Sequence, residues 1–458
     1  MTGLVTASLL AWPVICLMFF SLMKARTAVV ISLFFTAMFL PNGSIPISGF
    51  IDVNKYTAGS IGVLFGVMLF DSGRVMGFRL RWIDIPLAIF LVTPFFSSVL
   101  NGLGVYDGLS TVLGQILWWG VPYFVGRLYF VTPEATRFLA KAIVIAVLIY
   151  VPFVLLEIRL SPQLHRWIYG YHAISWDQIL RGSGYRPTVF MQHGLMLSLW
   201  LASGAFCLYQ SKGGRRIAGL PTSLIVIGVG IVVFMCRSFG AFFELIILLL
   251  LGFVSQVSRY TIILVLTVSI VPAYVGGRIA LNWEPAVAVD LVDQYVSPDR
   301  ALSLNFRFFH ERMIIDKALN RPFFGYGGWG RGRVYSETGE DLSVTDSYWI
   351  IVFSSAGLFG LSSFLATLLI PLYMFCYRVR ARYWSQSWAA GALAMALIVF
   401  AFTLDCLVNA MFNPIYVLVI GGLAGFVVHP SWRQAASRQT SRQMPSNRLR
   451  GQLQHRGT

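Results

Sequence analysis

The sequence predicts an all-α, polytopic transmembrane helix bundle with about 12–13 spans. Of the 458 residues, 57% are hydrophobic and only 12% are charged, whereas soluble domains carry about 25% charged residues. Near-continuous apolar runs such as PTSLIVIGVGIVVFM approach the ~20 residues that a helix needs to cross the hydrocarbon core. Transmembrane β-barrels instead show short segments in which apolar and polar residues alternate, and this sequence lacks that pattern.

The apolar runs place the predicted spans along the chain, with most charges in the connectors between them. The spans cover residues 4–23, 27–40, 57–70, 84–100, 109–126, 139–157, 188–208, 218–236, 239–254, 260–276, 347–376, 386–404 and 414–428. The five cysteines fall in or beside these spans without paired spacing. We therefore expect them to be small buried hydrophobic side chains that form neither a disulfide framework nor a metal site.

Residues 1–430 are predicted to form one transmembrane domain, and residues 431–458 a disordered basic tail in the cytoplasm. The tail is rich in Arg, Gln and Ser, contains no acidic residue and lacks apolar periodicity. The simplest role for such a tail is to lie near anionic membrane lipids, and a specific partner site is the alternative.

Positive charge predicts which side of the membrane each connector faces. Of the 35 Lys and Arg residues, 21 lie in one alternating set of connectors and the tail, and 14 lie in the other set. Because cytoplasmic loops carry the excess of Lys and Arg, the set of 21 is predicted to be cytoplasmic. This spread over short connectors also accounts for the net charge of +16, so we do not expect nucleic acid as a partner.

Twelve of the 14 basic residues on the predicted outer side lie in two long loops, 157–187 and 277–345, and eleven of these twelve are arginines. Their concentration runs against the charge rule, so it needs a local reason, and an anionic ligand is the simplest one. Arginine suits phosphate because its planar guanidinium donates two parallel hydrogen bonds and keeps its proton on burial.

Residues 301–319 in the second loop show helical periodicity. Three apolar residues of this helix share one face: Phe308, Ile315 and Leu319. Two oppositely charged pairs are spaced by four residues and are able to form ion pairs: Arg307 with Glu311, and Arg312 with Asp316. One interpretation is an amphipathic helix that lies on the membrane with its charges solvated.

Two motifs in and after this loop resemble the signature of the bacterial O-antigen ligase and polymerase superfamily. In the first motif, Arg307 is followed by a helix and the segment RPFFGYG; in the second, Asp346 and a serine are followed nine residues later by GLFG. Upstream, GSGYRPTVFMQHG and CRSFGA resemble further segments of the family, so the similarity covers roughly residues 181–365. The ligases carry histidine at the position of Asp346.

The resemblance implies a GT-C-like enzyme of the bacterial inner membrane that takes a glycan from an undecaprenyl-diphosphate carrier at the outer face, without a metal ion or other cofactor. The preferred activity is polymerisation of lipid-linked repeat units of O-antigen, capsule or exopolysaccharide, with a chain-length regulator and a flippase as candidate partners. The alternatives are a ligase that transfers the glycan to lipid A core or protein, a transporter of the lipid-linked glycan, and a non-catalytic assembly factor. Transporters typically show repeated halves and charges near the midplane, and the sequence shows neither.

Eight residues are candidates for the site of this chemistry. Three are expected to be catalytic: Asp346, Arg307 and Arg186. Five are expected to contact the diphosphate or the sugars: Arg312, Arg181, Arg237, Tyr326 and Trp329. Guanidinium groups would stabilise the charge that develops on the leaving diphosphate, and the Asp346 carboxylate would take the proton of the acceptor hydroxyl. Capping of the next helix is the alternative role for Asp346, because Asp-Ser directly precedes an apolar run.

Other polar groups have simpler interpretations that remain open. Aromatic residues in the loops stack on sugars or anchor the chain at the membrane interface. The lone histidines His193 and His310 serve ordinary hydrogen bonding or packing, with a catalytic role as the alternative. Within the spans, Arg237, Glu244 and Asp405 all map near the predicted outer ends of their helices, where charged residues tend to mark function.

Overall fold

A computed structural model describes residues 2–47, 51–181, 184–211, 216–217, 219–328 and 330–443. Its regular structure is almost entirely helical, which confirms the all-α class. The first half of the chain forms α1 (Gly3–Leu22), α2 (Ala25–Phe39), α3 (Lys55–Phe70), α4 (Ser72–Met76), α5 (Ile85–Leu100), α6 (Gly104–Gln115), α7 (Val121–Tyr129), α8 (Pro133–Leu160), α9 (Leu164–Tyr169) and α10 (Trp176–Ile179). A 3₁₀ turn, Trp82–Asp84, leads into α5, and a π-helical turn, Ile116–Gly120, joins α6 to α7.

The second half of the chain continues the bundle. It forms α11 (Gly194–Gln210), α12 (Thr222–Met235), α13 (Phe239–Val257), α14 (Ile262–Ala280), α15 (Ala286–Tyr295), α16 (Pro298–Ala318), α17 (Tyr348–Arg378), α18 (Ser387–Asp405), α19 (Pro414–Val428) and α20 (Ser431–Gln443), with a 3₁₀ turn at Ala381–Tyr383. Three two-stranded antiparallel hairpins pair β1 (Ser44–Ile45) with β2 (Val53–Asn54), β3 (Leu180–Arg181) with β4 (Gly184–Tyr185), and β5 (Arg216–Ile217) with β6 (Leu220–Pro221).

Each predicted span coincides with a helix or a helix group, and the structure is that of a multi-pass membrane protein. Among the described residues, seven helices are long and apolar enough to cross a membrane: α1, α5 with its preceding 3₁₀ turn, α8, α13, α14, α17 and α18. The apolar helices α2, α3, α11 and α12 are shorter, and α19 continues into α20 across a bend of 60°. The predicted span 109–126 is divided between α6, the π-helical turn and α7.

The centre of the bundle is formed by α18 and α19, which are buried along nearly their whole length. Glycine allows the α7 and α19 backbones to touch: a Cβ on Gly421 would lie 2.1 Å from the Tyr123 carbonyl oxygen, and one on Gly126 would lie 2.3 Å from that of Leu418. Small residues at helix contacts are typical of membrane bundles. This packing fixes the end of α18, where Asp405 lies.

Two further predictions concern the cysteines and the tail. All five cysteines are buried, as predicted. The tail differs from the disorder predicted for it, because residues 431–443 form α20 and residues 444–458 lie outside the described residues. The side chains of Trp432, Ala435 and Ala436 pack against the core, and their i, i+3, i+4 spacing is the apolar periodicity that the sequence analysis missed.

Candidate functional site

Five arginines from separate parts of the chain come together where α13 begins and α18 ends. We call Arg181, Arg186, Arg237, Arg300 and Arg307 the arginine cluster. The positive charges of Arg181, Arg300 and Arg307 all act on the guanidinium of Arg186, and the backbone carbonyl of Arg237 accepts a hydrogen bond from Arg186 Nη2 at 3.3 Å. Four of the five are candidates from the sequence, so the structure brings most of the predicted anion site together.

Arg186 is the buried centre of the cluster, with only 5% of its surface exposed. Its Nε is buried and has no hydrogen-bond partner among the described residues. Burial first, and then the neighbouring arginines, lower the pKa of Arg186 to about 10. A buried donor without an acceptor costs about 1–3 kcal/mol, more when it is charged, so a bound anion would stabilise this arrangement.

The backbone that follows Arg186 is held by three buried polar side chains. Glu157 Oε2 accepts hydrogen bonds from the backbone N–H groups of residues 188 and 189, at 2.9 and 2.7 Å. The backbone N–H of residue 190 donates to the Tyr150 hydroxyl at 3.1 Å. The carbonyl oxygen of residue 190 accepts a hydrogen bond from Lys55 Nζ at 2.8 Å. These charged and polar anchors fix the position from which the Arg186 side chain extends.

Arg237 lies in the tight turn between α12 and α13 and has a φ of +54°, which is unusual for a residue other than glycine. Its Nη1 donates to the carbonyl oxygen of Arg181 at 2.9 Å, in the β3–β4 hairpin. A Cβ on Gly184 in the same hairpin would lie 2.6 Å from Arg237 Nη2, so the guanidinium covers this glycine. The two upstream segments of the family resemblance are therefore in contact.

Arg307 in α16 connects the cluster to the turn after α18. Its Nη1 donates to the Val408 carbonyl at 2.7 Å and to Asn409 Oδ1 at 3.1 Å, while its Nε lies 3.4 Å from Asp346 Oδ2. The Asn409 amide in turn donates to the buried carboxylate of Asp405. A chain of polar contacts thus runs from a buried acid through Arg307 to the exposed acid Asp346.

The ion pair that spacing allows between Arg307 and Glu311 does not form. Glu311 faces α14 instead, where its carboxylate accepts hydrogen bonds from Arg278 Nε at 2.7 Å and from the Tyr274 hydroxyl at 2.9 Å. Burial raises the pKa of Glu311, and the hydrogen bond from Arg278 opposes that shift. This buried pair fastens α16 to α14 and leaves Arg307 free to turn toward Asp346.

Asp346 does not cap α17. The helix begins at Tyr348, its N-cap residue is Ser347, and no side-chain cap hydrogen bond is present there. The first N–H of the helix, from Tyr348, donates to the Cys406 carbonyl at 3.0 Å, so the turn after α18 accepts it. The Asp346 side chain remains 39% exposed and lies beside Arg307.

Three predicted contact residues lie apart from these groups or outside the described residues. Arg312 Nη2 lies 2.8 Å from Asp316 Oδ1, which confirms the predicted pair, and Arg312 Nη1 donates to Asn282 Oδ1 at 2.7 Å. The Tyr326 hydroxyl donates to the Lys317 carbonyl at 3.2 Å, which ties it into the loop. Trp329 lies outside the described residues.

The two motifs of the family resemblance pack against each other at a break in α17. Gly357 has φ +64° and ψ −162°, which interrupts the helix. Residues 322–327 make four backbone hydrogen bonds of 2.7–3.2 Å with residues 354–359 across the break. A Cβ on Gly357 would lie 2.3 Å from the Phe323 carbonyl oxygen, so only glycine permits this contact. The RPFFGYG segment therefore positions α16 and its Arg307 against α17.

Sequence reasoning missed Arg300. It also left His193 and Glu244, which lie near the cluster, without an assigned role. Arg300 lies seven residues before Arg307, a spacing that places both on one helix face. His193 Nδ1 accepts the Leu195 N–H at 3.1 Å and so caps α11. Burial, together with Arg186, Arg181 and Arg307, lowers the pKa of His193 to about 4. Glu244 in the first turns of α13 is buried, and its Oε2 has no hydrogen-bond partner among the described residues.

No protein-family model matches the chain, and no curated protein sequence shows significant similarity to it. The functional interpretation therefore depends on the arginine cluster, on Asp346 and on the two packed motifs.

Proposed function

We propose that this protein is a membrane glycosyltransferase that polymerises undecaprenyl-diphosphate-linked oligosaccharide repeat units at the outer face of the bacterial inner membrane. The observation that carries this proposal is the burial of Arg186 among four other arginines, with an Nε–H that lacks a partner in the described residues. Such a site favours a ligand with several negative charges, and a diphosphate has them.

In this mechanism the acceptor hydroxyl attacks the anomeric carbon of the lipid-linked glycan. A new glycosidic bond forms, the bond to the diphosphate oxygen breaks, and the polyprenyl diphosphate leaves. Arg186 and Arg307 stabilise the charge that develops on the leaving oxygen, which is a strong effect in a site that partly excludes water. Asp346 accepts the proton of the hydroxyl, because its carboxylate is exposed and lies 3.4 Å from Arg307.

A ligase that transfers the glycan to lipid A core or protein would use the same chemistry with a different acceptor. The shared motifs support either activity. The aspartate at 346, where the ligases of the superfamily carry histidine, favours the polymerase. A chain-length regulator and a flippase for the same lipid-linked substrate would be its partners.

The test uses the purified full chain in lipid nanodiscs with an undecaprenyl-diphosphate oligosaccharide. A ladder of longer lipid-linked glycans supports polymerisation, and transfer to an added lipid A core supports the ligase. Arg186→Gln should abolish either product, whereas Arg166→Gln in the same loop should not, because Arg166 is exposed and lies outside the arginine cluster. Translocation of the substrate without any new glycosidic bond, or no reaction, would refute the proposal.

A further inference from the structure

A cavity of about 770 Å³ lies at the opposite ends of the helices that lead away from the arginine cluster. The turn between α13 and α14 and the turn between α17 and α18 line it. Because α13 starts next to Arg237 and α18 ends at Asp405, each of these 19-residue helices separates the cavity from the cluster by roughly 28 Å. The cavity is therefore distinct from the site described above.

The lining of this cavity is strongly basic. It includes the exposed arginines Arg259, Arg380 and Arg382, and no acidic residue is among the described residues that line it. None of the three arginines makes an ion pair within the described part of the chain. Three guanidinium groups that share a cavity without a counter-charge repel one another, and an anion would relieve that repulsion.

Two helix N-termini add to the positive potential of the cavity. Thr261 precedes α14 and Gln386 precedes α18, and neither side chain makes a cap hydrogen bond to its helix. Backbone N–H groups in the first turn of a helix have no partner within the helix, and they carry about half a positive charge together. Oriented N–H groups and guanidinium groups in one cavity are the usual components of a phosphate site.

Apolar helix faces beside the cavity indicate where the phosphate comes from. The side chains of Phe253, Val257 and Ile262, at the adjoining ends of α13 and α14, are each more than half exposed. Both α13 and α14 are long and apolar enough to cross a membrane, so the turn between them lies where a span would end. We propose that the cavity binds the phosphate of an anionic phospholipid and that its acyl chains lie against these exposed apolar side chains.

The test compares two variants of the full chain that each lose two positive charges. Arg259→Gln with Arg380→Gln changes the cavity. Arg74→Gln with Arg137→Gln changes two exposed arginines that instead pair with acidic neighbours, at 3.2 and 3.7 Å. Delipidated protein in neutral detergent is titrated with phosphatidylglycerol, phosphatidylcholine or inorganic phosphate, with bound lipid counted by native mass spectrometry and thermal unfolding recorded in parallel.

Phosphatidylglycerol is expected to bind and to raise the unfolding midpoint of the wild-type chain, and its affinity is expected to fall about tenfold in the cavity variant only. Equal weakening in both variants would mean that surface charge alone attracts the lipid, which overturns the proposal. Inorganic phosphate that stabilises the chain as well as the lipid does would identify a soluble anion instead. A wild-type chain that does not prefer phosphatidylglycerol over phosphatidylcholine would also overturn it.

Discussion

Arg307 and Asp346 form an ion pair between two motifs that are far apart in the chain, with 3.4 Å from Nε to Oδ2. The Nη1 atom of Arg307 is committed to the turn after α18, through Val408 and Asn409. The side chains of the pair are nevertheless 25% and 39% exposed, so a ligand can reach both. The pair places a guanidinium group and a carboxylate within reach of one ligand.

Arg307→Lys is expected to lower turnover by about a hundredfold or more, although the positive charge is kept. Arg307 Nη1 donates to the turn after α18 while Nε pairs with Asp346, and a lysine ammonium cannot reproduce that fork. Product formation at matched protein levels measures the effect. Arg312→Lys, in the same helix but paired with Asp316, is the control and should remain active. A lysine variant of Arg307 with most of the wild-type activity would show that charge alone suffices.

Asp346→Asn is expected to lower turnover about a hundredfold or more, because an amide cannot take the proton of the attacking sugar hydroxyl. Helix capping cannot account for such a loss, since the N-cap of α17 is Ser347. Asp346→His should keep partial activity, with a rate that rises as pH increases through about 6.5, where the imidazole becomes neutral. Wild-type turnover in the asparagine variant would remove Asp346 from the mechanism.

The stability of the protein is expected to fall as pH decreases from 6.5 toward 4, in part because of His193. Its pKa in the folded chain is about 4, below the ordinary value of about 6.5, so the unfolded chain binds more protons in this window. His193→Asn keeps a capping side chain and should flatten the pH dependence of the unfolding midpoint. His172→Asn, which removes a ring that packs on Trp176, should not. Parallel curves for wild type and His193→Asn would contradict this.

Gly357→Ala is expected to destabilise the protein by about 3 kcal/mol or more. The new Cβ would meet the Phe323 backbone at 2.3 Å, and the positive φ is unfavourable for alanine. Gly276→Ala in α14 is the control, because a Cβ there meets nothing within 4 Å. Thermal unfolding measures both variants, and equal midpoints would show that the packed motifs do not need this glycine.

Tyr335→Cys is expected to react with a membrane-impermeant thiol reagent in intact cells, since the charge distribution predicts that its loop lies outside the cytoplasm. Tyr335 is 46% exposed, and the five native cysteines are buried, so background labelling should be low. Arg433→Cys, in the predicted cytoplasmic tail, should react only after the membrane is opened. The reverse pattern would invert the topology.

The helices and the arginines of the proposed anion site were predictable from sequence. Apolar runs and the placement of arginines along the chain are local or compositional signals. Every predicted span coincides with a helix or a group of helices, since a run of apolar residues has few other solutions in a membrane. Arg181, Arg186 and Arg307 lie in loops whose positive charge opposes the charge rule, Arg186 and Arg307 also match the family segments, and Arg237 was found as a charged residue at the end of a span. The same reasoning also chose Arg312, whose partners are Asp316 and Asn282.

The contacts within the site were not predictable, because they join positions that are distant in the chain. Spacing of four residues suggested a pair between Arg307 and Glu311, but packing turned Glu311 toward Arg278 and gave Arg307 acceptors about a hundred residues away. The alternative capping role for Asp346 is wrong by one residue, because the N-cap residue of α17 is Ser347. Errors of one residue are typical for helix ends. Burial of Arg186 likewise depends on anchors such as Glu157, which carry no local signal.

The break in α17 also has a consequence for biogenesis. Residues 322–327 leave the ribosome before Gly357 does, so their hydrogen-bond partners do not yet exist when this loop first reaches the membrane. When the break is synthesised, residues 322–327 are already present, and if they do not pair with it at once, the later half of α17 inserts with unpaired backbone groups, which is costly in lipid. Completion of this span and closure of the loop on it are therefore one assembly step, which takes place only after the chain has been synthesised beyond the break.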